Sequence, residues 1–133
     1  MKEKVVVLGA GESGVGAALL AKQQGYSVFV SDAASIPKAT QKEFDNAGID
    51  WEEKQHTLSQ MVDAILVVKS PGIPNHVALI QQLKAEQKTI LSEIEFASRF
   101  TKATIIAITG SNGKTTTTLL TYSLLKEAGL NVV

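Results

Sequence analysis

Four stretches of the chain are continuously apolar and rich in branched residues: Val5-Val6-Val7-Leu8, Val28-Phe29-Val30, Ala64-Ile65-Leu66-Val67-Val68 and Ile105-Ile106-Ala107-Ile108. Short apolar runs without alternation mark strands buried on both faces, as in parallel sheets. Helical patterns lie between them. Residues 13–24 carry Val15, Ala17, Ala18, Leu19, Leu20 and Ala21, and Gly25 follows as a stop. Residues 40–47 predict a weaker helix closed by Gly48, and residues 76–87 carry Val77, Leu79, Ile80 and Leu83 on one face. Residues 58–61 predict a short helical stretch, while 49–51 and 89–91 predict short strands. Ser92 and Glu95 have capping-box spacing, with Leu91 and Phe96 as the hydrophobic staple, so Glu95 reads as a helix start and not as an acid catalyst. A last helix, 114–128, has Leu119, Leu120, Leu124, Leu125 and Ala128 as its stripe before Gly129, and 130–133 reads as the start of a strand.

Two strand-to-helix turns carry candidate chemistry. Gly9-Ala10-Gly11-Glu12-Ser13-Gly14 follows the first strand at once and opens a helix, which is G-x-G-x-x-G in its required context. The next strand ends at Asp32, about 18 residues beyond Gly14 and near the spacing at which an acidic side chain meets a nucleoside. Ser70-Pro71-Gly72-Ile73-Pro74-Asn75 breaks the 64–68 strand sharply. In an open parallel sheet this loop faces the same side as the Gly9 turn and Asp32. The second turn is Thr109-Gly110-Ser111-Asn112-Gly113-Lys114-Thr115-Thr116, a phosphate cradle: the glycines let backbone N–H groups point inward, and the helix start adds positive potential. Lys114 is placed for the β/γ-phosphates and the Thr115 hydroxyl for Mg²⁺. The loop is shorter than the general Walker pattern, since the position six before Lys114 is Ile108.

These elements predict an α/β protein: a Rossmann-like doubly wound parallel sheet of about five strands over 1–93, then the strand, P-loop and helix that begin an ATP-binding domain over 94–133. The joint is expected near 93–103. A P-loop ATPase normally draws a further acidic metal ligand from a later strand, so the second segment reads as the beginning of a longer domain. Its unpaired strand and leucine stripe are expected to be covered by the first domain or by another copy of the chain.

Composition narrows the function classes. The 133 residues include 13 Lys and Arg against 13 Asp and Glu, which argues against a basic nucleic-acid surface. With no cysteine, thiolate chemistry is excluded and a reducing compartment fits. The stretch Met1-Lys2-Glu3-Lys4 and four apolar residues is too short for a signal core or a membrane span, so a cytoplasmic location is expected. His56 and His76 lack ligand-spaced partners and read as surface or structural groups. Trp51 reads as core or rim packing, and Glu52-Glu53-Lys54 as a solvated face.

The Thr109 to Thr116 loop, the Gly9 to Gly14 turn and Ser70-Pro71-Gly72-Ile73 together resemble the Mur ligases, which add amino acids to the peptidoglycan precursor. The likeness covers the whole chain. Asn112, where the L-alanine-adding members typically have histidine, and the dinucleotide-type first domain point to the branch that adds D-glutamate to UDP-N-acetylmuramoyl-L-alanine. The resemblance implies that ATP phosphorylates the substrate carboxylate and that the amine of D-glutamate attacks the acyl phosphate. It implies that Lys114 acts on the transferring phosphoryl group, that 110–116 bind ATP and that Thr115 holds Mg²⁺. It also reassigns Gly9, Gly11, Glu12, Ser13, Gly14, Asp32, Ser70, Pro71 and Gly72 to the UDP end of the substrate, with Asp32 accepting from uracil N3–H. The family's uracil-touching side chains after this aspartate are here Ala33-Ala34. This stretch alone is expected to be inactive as a ligase. The competing readings are another Mur ligase, such as an L-alanine-adding one, and an NAD-binding dehydrogenase domain.

Overall fold

In the computed structural model, which describes residues 2–133, five strands form: β1 (Lys4–Leu8), β2 (Ser27–Asp32), β3 (Asp50–Glu53), β4 (Ala64–Lys69) and β5 (Thr89–Ser92). Met1, which opens the expected charged N-terminal stretch, lies outside the described residues. The strands are all parallel in the order β3-β2-β1-β4-β5. The apolar runs are unbroken because both faces of the sheet are covered. Val5, Val7, Val28, Val30, Val68 and Leu91 face α1 (Glu12–Gln23), α2 (Lys38–Ala47) and α4 (Glu93–Ser98), which supply Ala17, Ala18, Ala21, Phe44 and Phe96. Val6, Leu8, Phe29 and Val67 face α3 (Ala78–Ala85) and a 3₁₀ turn at Leu58–Gln60, with Ile80, Leu83 and Met61 between.

Small residues on α1 let that helix lie close to the strands. Gly48 ends α2 in the left-handed conformation at φ 63°, and Ser92 caps α4 by accepting from the Glu95 N–H at 3.2 Å. Leu91 and Phe96 are both buried in one cluster, as the staple requires. Trp51 is half-buried at the rim, and its Nε1–H donates to Asp45 at 2.9 Å.

The chain divides after Thr101 into two compact units, so α4 belongs with the sheet. In the second, Lys102–Val133, α5 (Lys114–Glu127) starts at the expected lysine. The expected strand at 105–108 does not form, and neither does one at 130–133. A strand exists only through its ladder, and this unit offers no partner strand, so an apolar run there stays irregular. Within this unit taken by itself the apolar residues are not covered: Ile105 is 59%, Leu120 59% and Leu124 59% exposed. Ile106, Ile108, Leu119, Tyr122, Leu125 and Leu130 line an open groove of about 830 Å³ within the unit. Among the described residues no helix is long and apolar enough to cross a membrane.

Phe44 is fully buried and anchors α2. Phe44→Ala is expected to cost about 3–5 kcal/mol of stability in urea unfolding; a loss below about 1 kcal/mol would show that the α2 side of the core does not depend on it.

Candidate functional site

Parallel pairing sets Leu8 beside Ser31 and beside Lys69, so the carboxyl ends of β1, β2 and β4 lie along one edge. The Gly9 turn, Asp32 and the 70–75 loop leave the sheet there. Strand order reverses between β1 and β4, the point at which open α/β sheets form their ligand crevice.

Glycine makes the edge possible. Gly9 has φ +101°, and a Cβ on it would stand 3.0 Å from Ser70 Cβ, so the first turn and the 70–75 loop meet only without a side chain there. At Gly14 a Cβ would fall 2.0 Å from the Gly9 carbonyl oxygen. Gly11 caps α1 and brings no side-chain acceptor, which leaves the first amides of the helix, including those of exposed Glu12 and Ser13, for an external anion. The turn is tied to its neighbours: Gly9 N–H donates to the Ser31 carbonyl at 2.9 Å, and Ser70 N–H to the Leu8 carbonyl at 3.0 Å.

Asp32 has a structural task alongside any ligand. Its Oδ2 accepts from Ala10 N–H at 2.6 Å and its Oδ1 from Ala34 N–H at 2.7 Å. A carboxylate has about four lone-pair sites, so a donor from a base can still be accepted. The sequence reading missed Lys69, whose Nζ donates to the carbonyls of Ser70 at 3.1 Å and Ile73 at 2.6 Å and gathers the 70–73 loop. Its only signal was a cation at the end of an apolar strand, directly before Ser-Pro-Gly.

Of the run 52–54, expected as a solvated face, Lys54 is exposed, but Glu52 and Glu53 are half-buried and paired. Glu52 stands opposite Ser31 in the β2–β3 register and accepts from the Ser31 hydroxyl at 2.7 Å, Thr57 N–H at 2.7 Å and the Thr57 hydroxyl at 2.6 Å. Glu53 accepts from Ile36 N–H at 2.7 Å and from Gln41 Nε2 at 3.1 Å. These acids extend β3, and buried or half-buried donors satisfy them. Burial by itself would push the Glu52 carboxyl up, but the two Thr57 bonds, the Ser31 bond and the charge of His56 outweigh it and hold the group below the usual carboxylate range. His56 Nδ1 lies 2.7 Å from Ser31 Oγ, and His76 is exposed. Among the described residues no group of three or more His, Cys, Asp or Glu could hold a metal.

In the second unit Gly113 adopts φ 75° and caps α5 without a side-chain acceptor, so this helix start is open as well. Lys114 Nζ donates to the Gly110 carbonyl and reaches the Ser111 carbonyl at 3.5 Å. Residues 110–116 are all exposed. Thr115 stands in the first turn of α5, the place of a hydroxyl metal ligand beside bound phosphates, so the loop fits a nucleotide phosphate with its cation.

Two outcomes follow. Gly14→Ala should destabilise the first unit by about 3 kcal/mol or more, because backbone must move to admit the methyl; a variant of native melting temperature would contradict the packing at the turn. Since the folded pKa of Glu52 is depressed, its contribution is present above the ordinary value of 4.5 and is lost as pH falls through the folded value. Melting curves of the Glu52→Gln variant should therefore lose less on acidification below that value than those of the parent; parallel curves would refute this.

The profile of the "Mur ligase MurD-like, N-terminal domain" matches residues 3–92. A UDP-N-acetylmuramoylalanine--D-glutamate ligase of Bacteroides fragilis is 56% identical over 130 residues, which cover 98% of this chain and 29% of that protein. The chain thus spans about 29% of the length of such relatives. Among solved structures, a murein peptide ligase of Psychrobacter arcticus is similar with a TM-score of 0.69 at 28% identity, over 96% of this chain and 27% of that one. The UDP-N-acetylmuramate-alanine ligase of Thermotoga maritima gives a TM-score of 0.61 at 26% identity, over 94% of this chain and 29% of that one.

Proposed function

Because the chain belongs to the Mur ligase family through a MurD-like N-terminal domain, we propose that it is the part of a D-glutamate-adding ligase that holds the UDP end of UDP-N-acetylmuramoyl-L-alanine and begins the ATP site. The whole enzyme would use ATP to convert the substrate carboxylate into an acyl phosphate with release of ADP. The amine of D-glutamate would then displace phosphate and form the amide. Such chemistry needs two separate phosphate sites, and the chain has two open helix starts behind glycine turns. That pairing is the observation that carries the reading, because an NAD-binding domain needs only the first.

In this reading the amides of Glu12 and Ser13 receive the diphosphate, with Gly9, Gly11 and Gly14 giving the backbone room. Asp32 accepts from uracil N3–H while its other lone pairs keep the Ala10 and Ala34 amides in place. Ser70, Pro71 and Gly72 form the opposite wall, which Lys69 holds together. In the second unit the amides of 110–116 cradle the ATP phosphates. Lys114 leaves the carbonyls it now serves to place its charge on the transferring phosphoryl group, an electrostatic and positioning role. Mg²⁺, when bound, neutralises phosphate charge, and Thr115 would give it one hydroxyl ligand. A cytoplasmic enzyme fits these substrates.

The test is ligand-dependent melting. UDP-N-acetylmuramoyl-L-alanine at about 100 times its Kd should stabilise the protein by about 2.7 kcal/mol, a rise of several degrees in Tm, whereas NAD should give none. Lys114→Ala should leave this response intact. Asp32→Ala should lower both the ligand-free Tm and the response, since it removes the clamp on Ala10 together with the uracil acceptor. A response to NAD and none to the UDP compound would replace the ligase reading with that of a dehydrogenase domain.

A further inference from the structure

Ser31, near the end of β2, is fully buried, and its two oxygens serve different neighbours. The carbonyl accepts from Gly9 N–H at 2.9 Å, so the glycine turn hangs from this residue. The hydroxyl lies 2.7 Å from Glu52 Oε1, 2.7 Å from His56 Nδ1 and 3.3 Å from the Gln55 carbonyl oxygen. A hydroxyl has one proton to donate and two lone pairs. Glu52 and the Gln55 carbonyl can only accept, and the shorter contact to Glu52 takes the proton. If His56 Nδ1 also carried a lone pair, two acceptors would face each other at 2.7 Å. The contact is favourable only if Nδ1–H donates to Ser31 Oγ.

We propose that His56, Ser31 and Glu52 form a positioning relay for the nucleotide turn. His56 Nδ1–H donates to Ser31, Ser31 donates to Glu52, and Thr57 donates to Glu52 from its amide and its hydroxyl, closing the loop after β3. The relay fixes the end of β2, where Ser31 holds Gly9 through its carbonyl and Asp32 holds Ala10 through its carboxylate. No proton moves along it. Its role in affinity rests on the reading of the turn as a UDP site; its role in holding the turn does not.

Three readouts test it on the chain itself. Imidazole ¹⁵N spectra at neutral pH should show Nδ1 of His56 protonated; an Nε2–H tautomer with an unprotonated Nδ1 would overturn the relay. Hydrogen exchange at the Gly9 and Ala10 amides should quicken about tenfold in Ser31→Ala and His56→Ala, the loss of one buried partner. His56→Asn, whose Nδ2–H can stand where Nδ1–H stood, should restore protection, a rescue that a bulk-packing role would not give. Affinity for uridine diphosphate should follow the same order, falling about tenfold in the alanine variants and recovering in His56→Asn. Should Ser31→Ala fail to fold, the half-buried His56 pair of variants carries the comparison. Unchanged exchange in His56→Ala would overturn the positioning role. Altered exchange in a protein that binds no uridine diphosphate would keep the relay and overturn the UDP reading.

Discussion

The backbone of α1 passes so close to the end of β1 that a single methyl on Gly14 would stand 2.0 Å from the Gly9 carbonyl oxygen. That approach sets where α1 begins, and with it the direction of the free amides at its start. It also brings Gly9 against Ser70, so the turn after β1 and the loop after β4 share one edge. The crevice at this edge is therefore a packing result: helix, strand and loop converge where side chains are missing.

Holding backbone in that place requires acceptors, and β2 supplies them. The Ser31 carbonyl takes the Gly9 amide and the Asp32 carboxylate takes the Ala10 amide. An acid at this position thus fixes the turn and still has lone pairs unused by the protein. On the other side, Lys69 draws in the carbonyls of Ser70 and Ile73. The charged groups at this edge mostly shape the backbone.

Much of this was legible in the residue order. Unbroken apolar runs gave the central strands, since a strand covered on both faces needs no polar alternation, and glycines marked the turns because few other residues adopt their conformations. Spacing alone placed Asp32 and the 70–75 loop on one edge. Glu52 and Glu53 misled because charge is read as exposure until its partners are known; Ser31, Thr57, Ile36 and Gln41 become neighbours only once β3 pairs with β2. Residues 105–108 misled for the opposite reason. Their pattern is that of a strand, but strand formation belongs to the pair and not to the segment.

The proposed function requires that the edge formed by 9–14, Asp32 and 70–73 receive a uridine diphosphate group. Backbone amide chemical shifts recorded during titration with uridine diphosphate test it residue by residue. The largest shifts should fall on Gly11, Glu12 and Ser13, with smaller ones at Asp32 to Ala34 and at Ser70 and Gly72, while α3 and the amino-terminal edge of the sheet stay still. Saturable shifts confined to 110–116, or absent from 9–14, would contradict it.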